Sequence, residues 1–197
     1  NINIISFNPP LQDRIYNLNE DYFEKIDSRS KAYLLGFIFA DGCIRRDERH
    51  FTIEVAERDK EVIDFLKTEL QTNVPLKYRN PKKSTYNGNL SSATVWVRIS
   101  SKKLCSDLMY HGAVPIKSLV LKPPTGVPKE FINTFILGYF DGDGSIYRTG
   151  KSDRVKILGT KEMLDFVSEN IDSFLCGDRR KLFAIKKKKK NSYCINW

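Results

Sequence analysis

Two aspartates, Asp41 and Asp143, each stand one residue before the glycine that closes an apolar nine-residue run. The runs are LLGFIFADG at 34–42 and ILGYFDGDG at 136–144, and they align with an offset of 143 − 41 = 102 residues. A pattern used twice at that separation marks a duplicated unit. Each run reads as a helix, so each carboxylate falls at a helix C-terminus, where the helix dipole disfavours negative charge. Helices packed side by side would also bring the two carboxylates together. Like charges held close are costly unless a cation lies between them. A hard divalent ion, Mg²⁺ foremost, resolves that strain. Metal ions held by carboxylates beside a phosphate suit phosphodiester hydrolysis. The plainer reading of Asp-Gly is a turn after each helix; its repetition on two apolar helices of a basic chain favours the metal. A calcium loop is excluded, because Ile146 stands where an EF-hand needs glycine and Ser152 where it needs glutamate.

The elements that must position these acids can be read from the surrounding sequence. Gly36 and Ala40 are four apart, as are Gly138 and Gly142. Residues at that spacing share a helix face, and small ones let two helix backbones approach closely. The motif helices are therefore expected to pack on each other. Ser28 or Ser30 would cap the first, over 31–40, and the second would span 130–142; both are apolar on nearly every face and should be buried. Downstream, CIRRD and HFTIEVAE alternate as strands, DKEVIDFLKTELQ returns to helical spacing, PLKYRNP and ATVWVRIS form a second strand pair, and SKKLCSDLMYHG closes with a helix. The order is α-β-β-α-β-β-α. A 102-residue offset lays Ile53, Glu54 and Val55 over Val155, Lys156 and Ile157.

The expected architecture is α+β: two pseudo-symmetric repeats whose antiparallel sheets are joined through the motif helices. The divisions are an N-terminal polar arm (1–27), a first repeat (28–120), a proline-bearing linker (121–129) and a second repeat (130–197). The second repeat stops before a counterpart of the first repeat's last helix: either that helix is missing or it follows Trp197.

With 33 Lys and Arg against 24 Asp and Glu, the 197-residue chain carries a formal charge of +9 and a pI near 9.3. That balance points to a polyanionic partner, nucleic acid first. Cys43, Cys105, Cys176 and Cys194 form no CxxC pair, and His50 and His111 are the only histidines. Zinc is thereby disfavoured, and reduced packing cysteines are expected. No apolar run approaches the roughly 20 residues of a membrane span, and the first residues lack a secretory pattern. An intracellular setting is expected.

With both runs and their downstream strands in view, the sequence resembles the LAGLIDADG homing endonucleases in their single-chain, two-motif form, over roughly residues 33–197. The resemblance implies a monomer that recognises a long asymmetric double-stranded DNA site and cuts both strands. It implies that Asp41 and Asp143 bind the metal, with Ala40, Gly42, Gly142 and Gly144 as backbone neighbours. Mg²⁺ or Mn²⁺ would support cleavage, and Ca²⁺ would occupy the site without supporting it. Asp141 falls where the first run has Phe39 and takes a secondary role. The segment GAVPIKSLVLKPP resembles the family stretch that carries an active-site lysine, here Lys117. A polar residue ending the second strand would be Glu57, with Gly159 in the second repeat.

Strand alternation, with Ile44 and Ile146 inward, gives a DNA face. It comprises Arg45, Asp47, Arg49, Thr52, Glu54, Lys77, Arg79, Trp96 and Arg98 in the first repeat. Ser145, Tyr147, Thr149, Lys151, Arg154, Lys156 and Asn196 form it in the second. Arg and Lys suit guanine edges, Asn suits adenine and acids accept from cytosine; other contacts go to phosphates. The run 186–190 would lie beside the DNA backbone. Two other functions share the fold: an intron maturase that binds its own RNA, and a regulator that binds DNA without cutting. Asn1 and Trp197 argue against an active intein, though not against an endonuclease excised from one.

Overall fold

The computed structural model describes residues 15–82, 90–150, 152–171, 181–184 and 191–196. The first half contains α1 (Arg29–Asp41), β1 (Gly42–Ile44), β2 (His50–Ala56), α2 (Glu61–Glu69), β3 (Lys77–Arg79), β4 (Thr94–Ser100) and α3 (Lys102–Tyr110). The second contains α4 (Ile132–Asp143), β5 (Gly144–Thr149), β6 (Ser152–Gly159), α5 (Lys161–Ile171), β7 (Lys181–Ala184) and β8 (Tyr193–Asn196). Each half folds its strands into one antiparallel sheet, in the orders β1-β2-β4-β3 and β5-β6-β8-β7. The orders match strand for strand. The α+β architecture of two pseudo-symmetric halves is thus present.

The motif helices join the halves. Ser28 is the N-cap of α1, its hydroxyl accepting from the Lys31 N–H at 3.2 Å. A side chain at Gly36 would overlap the Phe135 carbonyl and lie 2.8 Å from the Tyr139 nitrogen; one at Gly138 would overlap the Tyr33 carbonyl. A side chain at Gly142 would overlap the Ala40 methyl and touch the Asp41 carboxylate at 3.4 Å. The small residues therefore set the interhelical distance, and Phe39 and Phe135 seal it edge to face at 5.0 Å.

Residues 15–27 differ from the polar arm expected. Tyr22, Phe23 and Ile26 are buried in the first half's core. The Asn19 N–H donates to Leu70 O at 2.9 Å, and the Thr72 hydroxyl donates to Asn17 O at 2.6 Å. The segment's polar average hid three apolar side chains that pack together. The proline-bearing linker is docked too. Leu121 is buried, and its carbonyl accepts from the Thr160 hydroxyl at 2.6 Å.

The register corrects the expected alignment. Gly42 pairs with Ile53, whereas Gly144 pairs with Ile157. In β6 the offset is therefore 157 − 53 = 104, not 102. The first hairpin turns through residues 45–49, while β5 and β6 pair out to Thr149 and Ser152 around a two-residue loop. Gly150 sits in that loop at φ +62°, a conformation two-residue hairpins require. Because the slip is even, inward and outward faces are kept.

Burial is unequal between the halves. Leu35 and Ile44 are 0% and 4% exposed, but their counterparts Leu137 and Ile146 are 53% and 69% exposed. In the first half α3 brings Leu104, Cys105 and Leu108 into the core that holds Leu35 and Ile44. Among the described residues the second half has no helix in that place, so Ile146 does not face a core as expected. No described helix is long and apolar enough to cross a membrane.

Candidate active site

Asp41 is the last residue of α1 and Asp143 the last of α4. Each helix passes straight into a strand through glycine. A side chain at Gly42 would crowd Ile38, and one at Gly144 would overlap Phe140. Close approach, rather than unusual backbone angles, dictates glycine there. Packing α1 on α4 then sets the acids beside one another, and a third group enters from the segment before the linker.

That group is Lys117. Its ammonium donates to the Ala40 carbonyl. Ala40, Lys117, Asp143 and Tyr139 line one cavity of about 140 Å³ with Leu121 and Thr160. Ile116 precedes the lysine at φ 56° and ψ 37°, in the left-handed region that a β-branched residue adopts only under constraint. The turn this creates aims Lys117 inward.

The charges bear on one another. Burial pushes the Asp143 pKa up to about 6; the nearby Lys117 opposes the shift and Asp41 adds to it. Asp41 opens to solvent at the mouth, yet crowding around its carboxyl still raises its pKa against the pull of Lys117, with Asp59 adding. Lys117 is pushed the other way, its pKa lowered by burial and partly restored by Asp143 and Asp41. One cation shared by two carboxylates is what remains. Tyr139 donates its hydroxyl proton to Leu158 O at 2.8 Å and stands against Asp143, which together with burial raises its own pKa.

This donor set fits a divalent cation. Two carboxylates lie together beside the Ala40 carbonyl, which a protein ammonium already occupies. Among the described residues no cluster of three or more His, Cys, Asp or Glu side chains forms a self-sufficient metal site. Further ligands would have to be backbone, water or substrate oxygens, as is usual for Mg²⁺.

Other sequence-predicted residues fall away from this centre. The Asp141 carboxylate accepts from the Tyr33 hydroxyl at 2.7 Å, clamping α4 to α1 beside an open groove that includes Asp59 and Glu61. By strand register, the counterpart of Glu57 is Lys161 and that of Gly159 is Val55, so the Glu57–Gly159 pairing does not hold. Asp59, Ile116 and Tyr139 were not singled out from sequence. Only Tyr139, in the second motif run, carried a signal there.

On the outward face of the first sheet, Thr52 pairs with Arg98, Glu54 with Trp96, and Trp96 with Lys77. Trp96 lies under two cations, Lys77 at 4.9 Å and Arg98 at 5.3 Å from its ring centre. Glu54 accepts from Arg79 at 2.6 Å and from the Thr94 hydroxyl at 2.7 Å, both at Oε1, so that oxygen is engaged within the sheet. Arg45, Asp47 and Arg49 belong to the hairpin turn, not to alternating strand positions. The Arg49 N–H, 3.1 Å from Asp47, holds that carboxyl below its ordinary pKa. Exposed Cys43, opposite Thr52, shares this face and was missed.

In the second sheet Ser145 pairs with Lys156, Tyr147 with Arg154, and Lys156 with Asn196. Thr149 takes its register position opposite Ser152. Lys151, Cys176 and the run 186–190 lie outside the described residues.

No family model matches the sequence. The DNA-directed RNA polymerase subunit Rpo1C of Methanocaldococcus jannaschii is 24% identical over 190 residues, covering 91% of this chain and 20% of the subunit. The chain thus spans a fifth of that relative's length. Among solved structures, the homing endonuclease I-WcaI bound to its DNA recognition sequence aligns with a TM-score of 0.55 at 16% identity, covering 98% of this chain and 84% of that one. The N-terminal LAGLIDADG domain of DUF199/WhiA aligns at 0.50 and 15% identity, covering 90% and 81%. At such identities the likeness is one of fold, and it agrees with the paired motif helices and matching sheets: this chain has a LAGLIDADG-like fold.

Proposed function

We propose that the chain is a metal-dependent, site-specific endonuclease acting on double-stranded DNA. The observation that carries the reading is the convergence of Asp41, Asp143 and Lys117 at the ends of two packed helices. Asp41 and Asp143, with the backbone at Ala40, Gly42, Gly142 and Gly144, would hold Mg²⁺ or Mn²⁺. A bound ion would polarise the scissile phosphate and stabilise charge developing on it. Lys117 is placed to counter charge on a phosphate oxygen. The two sheets supply the binding surface, with Lys77, Arg98, Arg154 and Lys156 outward and Trp96 between two cations. Their residues differ between halves, which fits an asymmetric target. The likeness to I-WcaI, a homing endonuclease bound to its recognition sequence, supports the reading.

A second reading is a regulator of the same fold that binds DNA without cutting. The contact of Lys117 with Ala40 favours it, because a protein cation then balances the carboxylates without metal. The comparable likeness to the WhiA domain points the same way. A randomised duplex library, incubated with the protein in Mg²⁺ and sequenced at newly formed ends, separates the two. Ends clustered at one long sequence and absent in Ca²⁺ support the endonuclease. Selective retention of one sequence without new ends supports the regulator.

A further inference from the structure

Glu54, Thr94 and Arg79 form a chain of contacts across three strands on the outward face of the first sheet. Register sets Glu54 opposite Trp96, and Thr94 opposite both Ala56 and Arg79. The Glu54 side chain therefore leans one pair along β4 instead of resting on its own partner. There its Oε1 accepts from the Thr94 hydroxyl at 2.7 Å and from Arg79 Nη1 at 2.6 Å. Strands β2 and β3 flank β4, so the two charged groups meet because both side chains are long and Thr94, between them, is short. Two neighbouring cations are held otherwise, Lys77 and Arg98 lying over the Trp96 ring. Among the described residues Glu54 is the one side-chain partner of Arg79.

Stability does not explain this arrangement. The Arg79 and Glu54 side chains are 53% and 34% exposed, and exposed ion pairs contribute little to folding. The effect is on orientation. A guanidinium carries its N–H donors in a rigid plane. Pinning one donor fixes that plane and leaves others for an acceptor outside the sheet. Two such donors match the O6 and N7 acceptors of guanine in the major groove. Holding them in place beforehand removes part of the ordering cost of binding. We propose that Glu54 is a positioning residue: Thr94 anchors its carboxylate, and the carboxylate holds Arg79 for one guanine of the target. Glu54 then makes no base contact of its own, in place of the cytosine contact expected from its residue type. This rests on the double-stranded DNA reading above.

The test selects bound duplexes from a randomised library in Ca²⁺ and reads base preference position by position. Wild type is compared with Arg79→Ala, Glu54→Ala, Glu54→Gln and Thr94→Val, each checked for folding by circular dichroism. The expected result is one base pair at which Arg79→Ala loses a guanine preference of about tenfold or more. Glu54→Ala relaxes the same pair, while its affinity for random duplex holds or rises because a negative charge is lost. Thr94→Val relaxes that pair less, and Glu54→Gln, whose amide oxygen still accepts, restores much of it. Relaxation by Glu54→Ala at a different pair overturns the proposal, since Glu54 then reads a base itself. An unchanged preference in Glu54→Ala overturns it as well. So does an Arg79→Ala variant that weakens all sequences evenly, which marks a phosphate contact. Should Glu54→Ala fail to fold, Thr94→Val decides: relaxation of the Arg79 pair supports the proposal, and an unchanged pair overturns it. A folded wild type that selects no sequence overturns the site-specific DNA reading itself, whatever the variants do.

Discussion

Asp143 is the residue on which stability and function pull in opposite directions. Its pKa in the folded chain is about 6, above an ordinary carboxyl, chiefly through burial. Between about pH 4 and pH 6 the folded state holds the proton more tightly than the unfolded chain does. Metal-free stability should therefore fall as pH rises through that window, by about 2 kcal/mol after allowing for solvent at the mouth. Asp143→Asn should remove most of this slope and raise the melting temperature at pH 7 in EDTA, while abolishing metal-dependent cleavage. Melts of both proteins at pH 5 and pH 7 check it; an unchanged slope in the variant would contradict it. Ile116 carries a different cost. A left-handed β-branched residue costs roughly 1–2 kcal/mol, partly offset in a glycine variant by added freedom of the unfolded chain. Ile116→Gly should be as stable as wild type or up to about 1 kcal/mol more stable in urea, yet weaker in aiming Lys117. Nothing in the sequence marks Ile116, because backbone strain depends on where the chain must go next.

At the scale of elements, the α1–α4 contact depends on glycine facing backbone. Side chains at Gly36 and Gly138 would meet the Phe135 and Tyr33 carbonyls, which have no free rotation to yield. Gly36→Val or Gly138→Val should therefore destabilise the chain by about 3 kcal/mol or more. Denaturation monitored through Trp96 and through far-ultraviolet circular dichroism would measure the loss; a change under about 1 kcal/mol would refute the packing. This contact was legible in sequence, since small residues four apart on an apolar helix have few other uses. The strands followed from alternation as well, though their order within each sheet did not. The two-residue slip between hairpins was not legible, because turn closure is decided by loop geometry while an even slip leaves the polar–apolar pattern intact. The burial of Tyr22, Phe23 and Ile26 was hidden for another reason: their partners, including Leu70 and His111, lie far along the chain.

At the scale of the whole molecule, the duplicated fold places two unlike sheets on either side of one shared site. Phosphate contacts should make binding strongly salt-dependent, each lost cation lowering the slope of log affinity against log salt by about 0.9. Arg154→Ala and Lys156→Ala should each show about that decrement if they meet phosphate. Trp96→Ala should weaken binding chiefly by releasing Lys77 and Arg98 from their shared ring. Fluorescence anisotropy across a salt series would separate these outcomes. Asp41, Asp143 and Lys117 were each legible as candidates from motif and resemblance. The destination of the Lys117 ammonium, the Ala40 carbonyl, was not, because that depends on a turn at Ile116 and on helix ends meeting in three dimensions. The most direct measurement is single-turnover cleavage, in Mg²⁺, of the duplex selected from the randomised library, by wild type and by Asp41→Asn and Asp143→Asn. The expected result is cleavage of both strands by wild type and a loss of about a thousandfold or more in each variant, with DNA binding retained. Cleavage that survives either substitution, or a folded wild type that binds its site and leaves both strands whole, would contradict the assignment of the paired carboxylates as the catalytic centre.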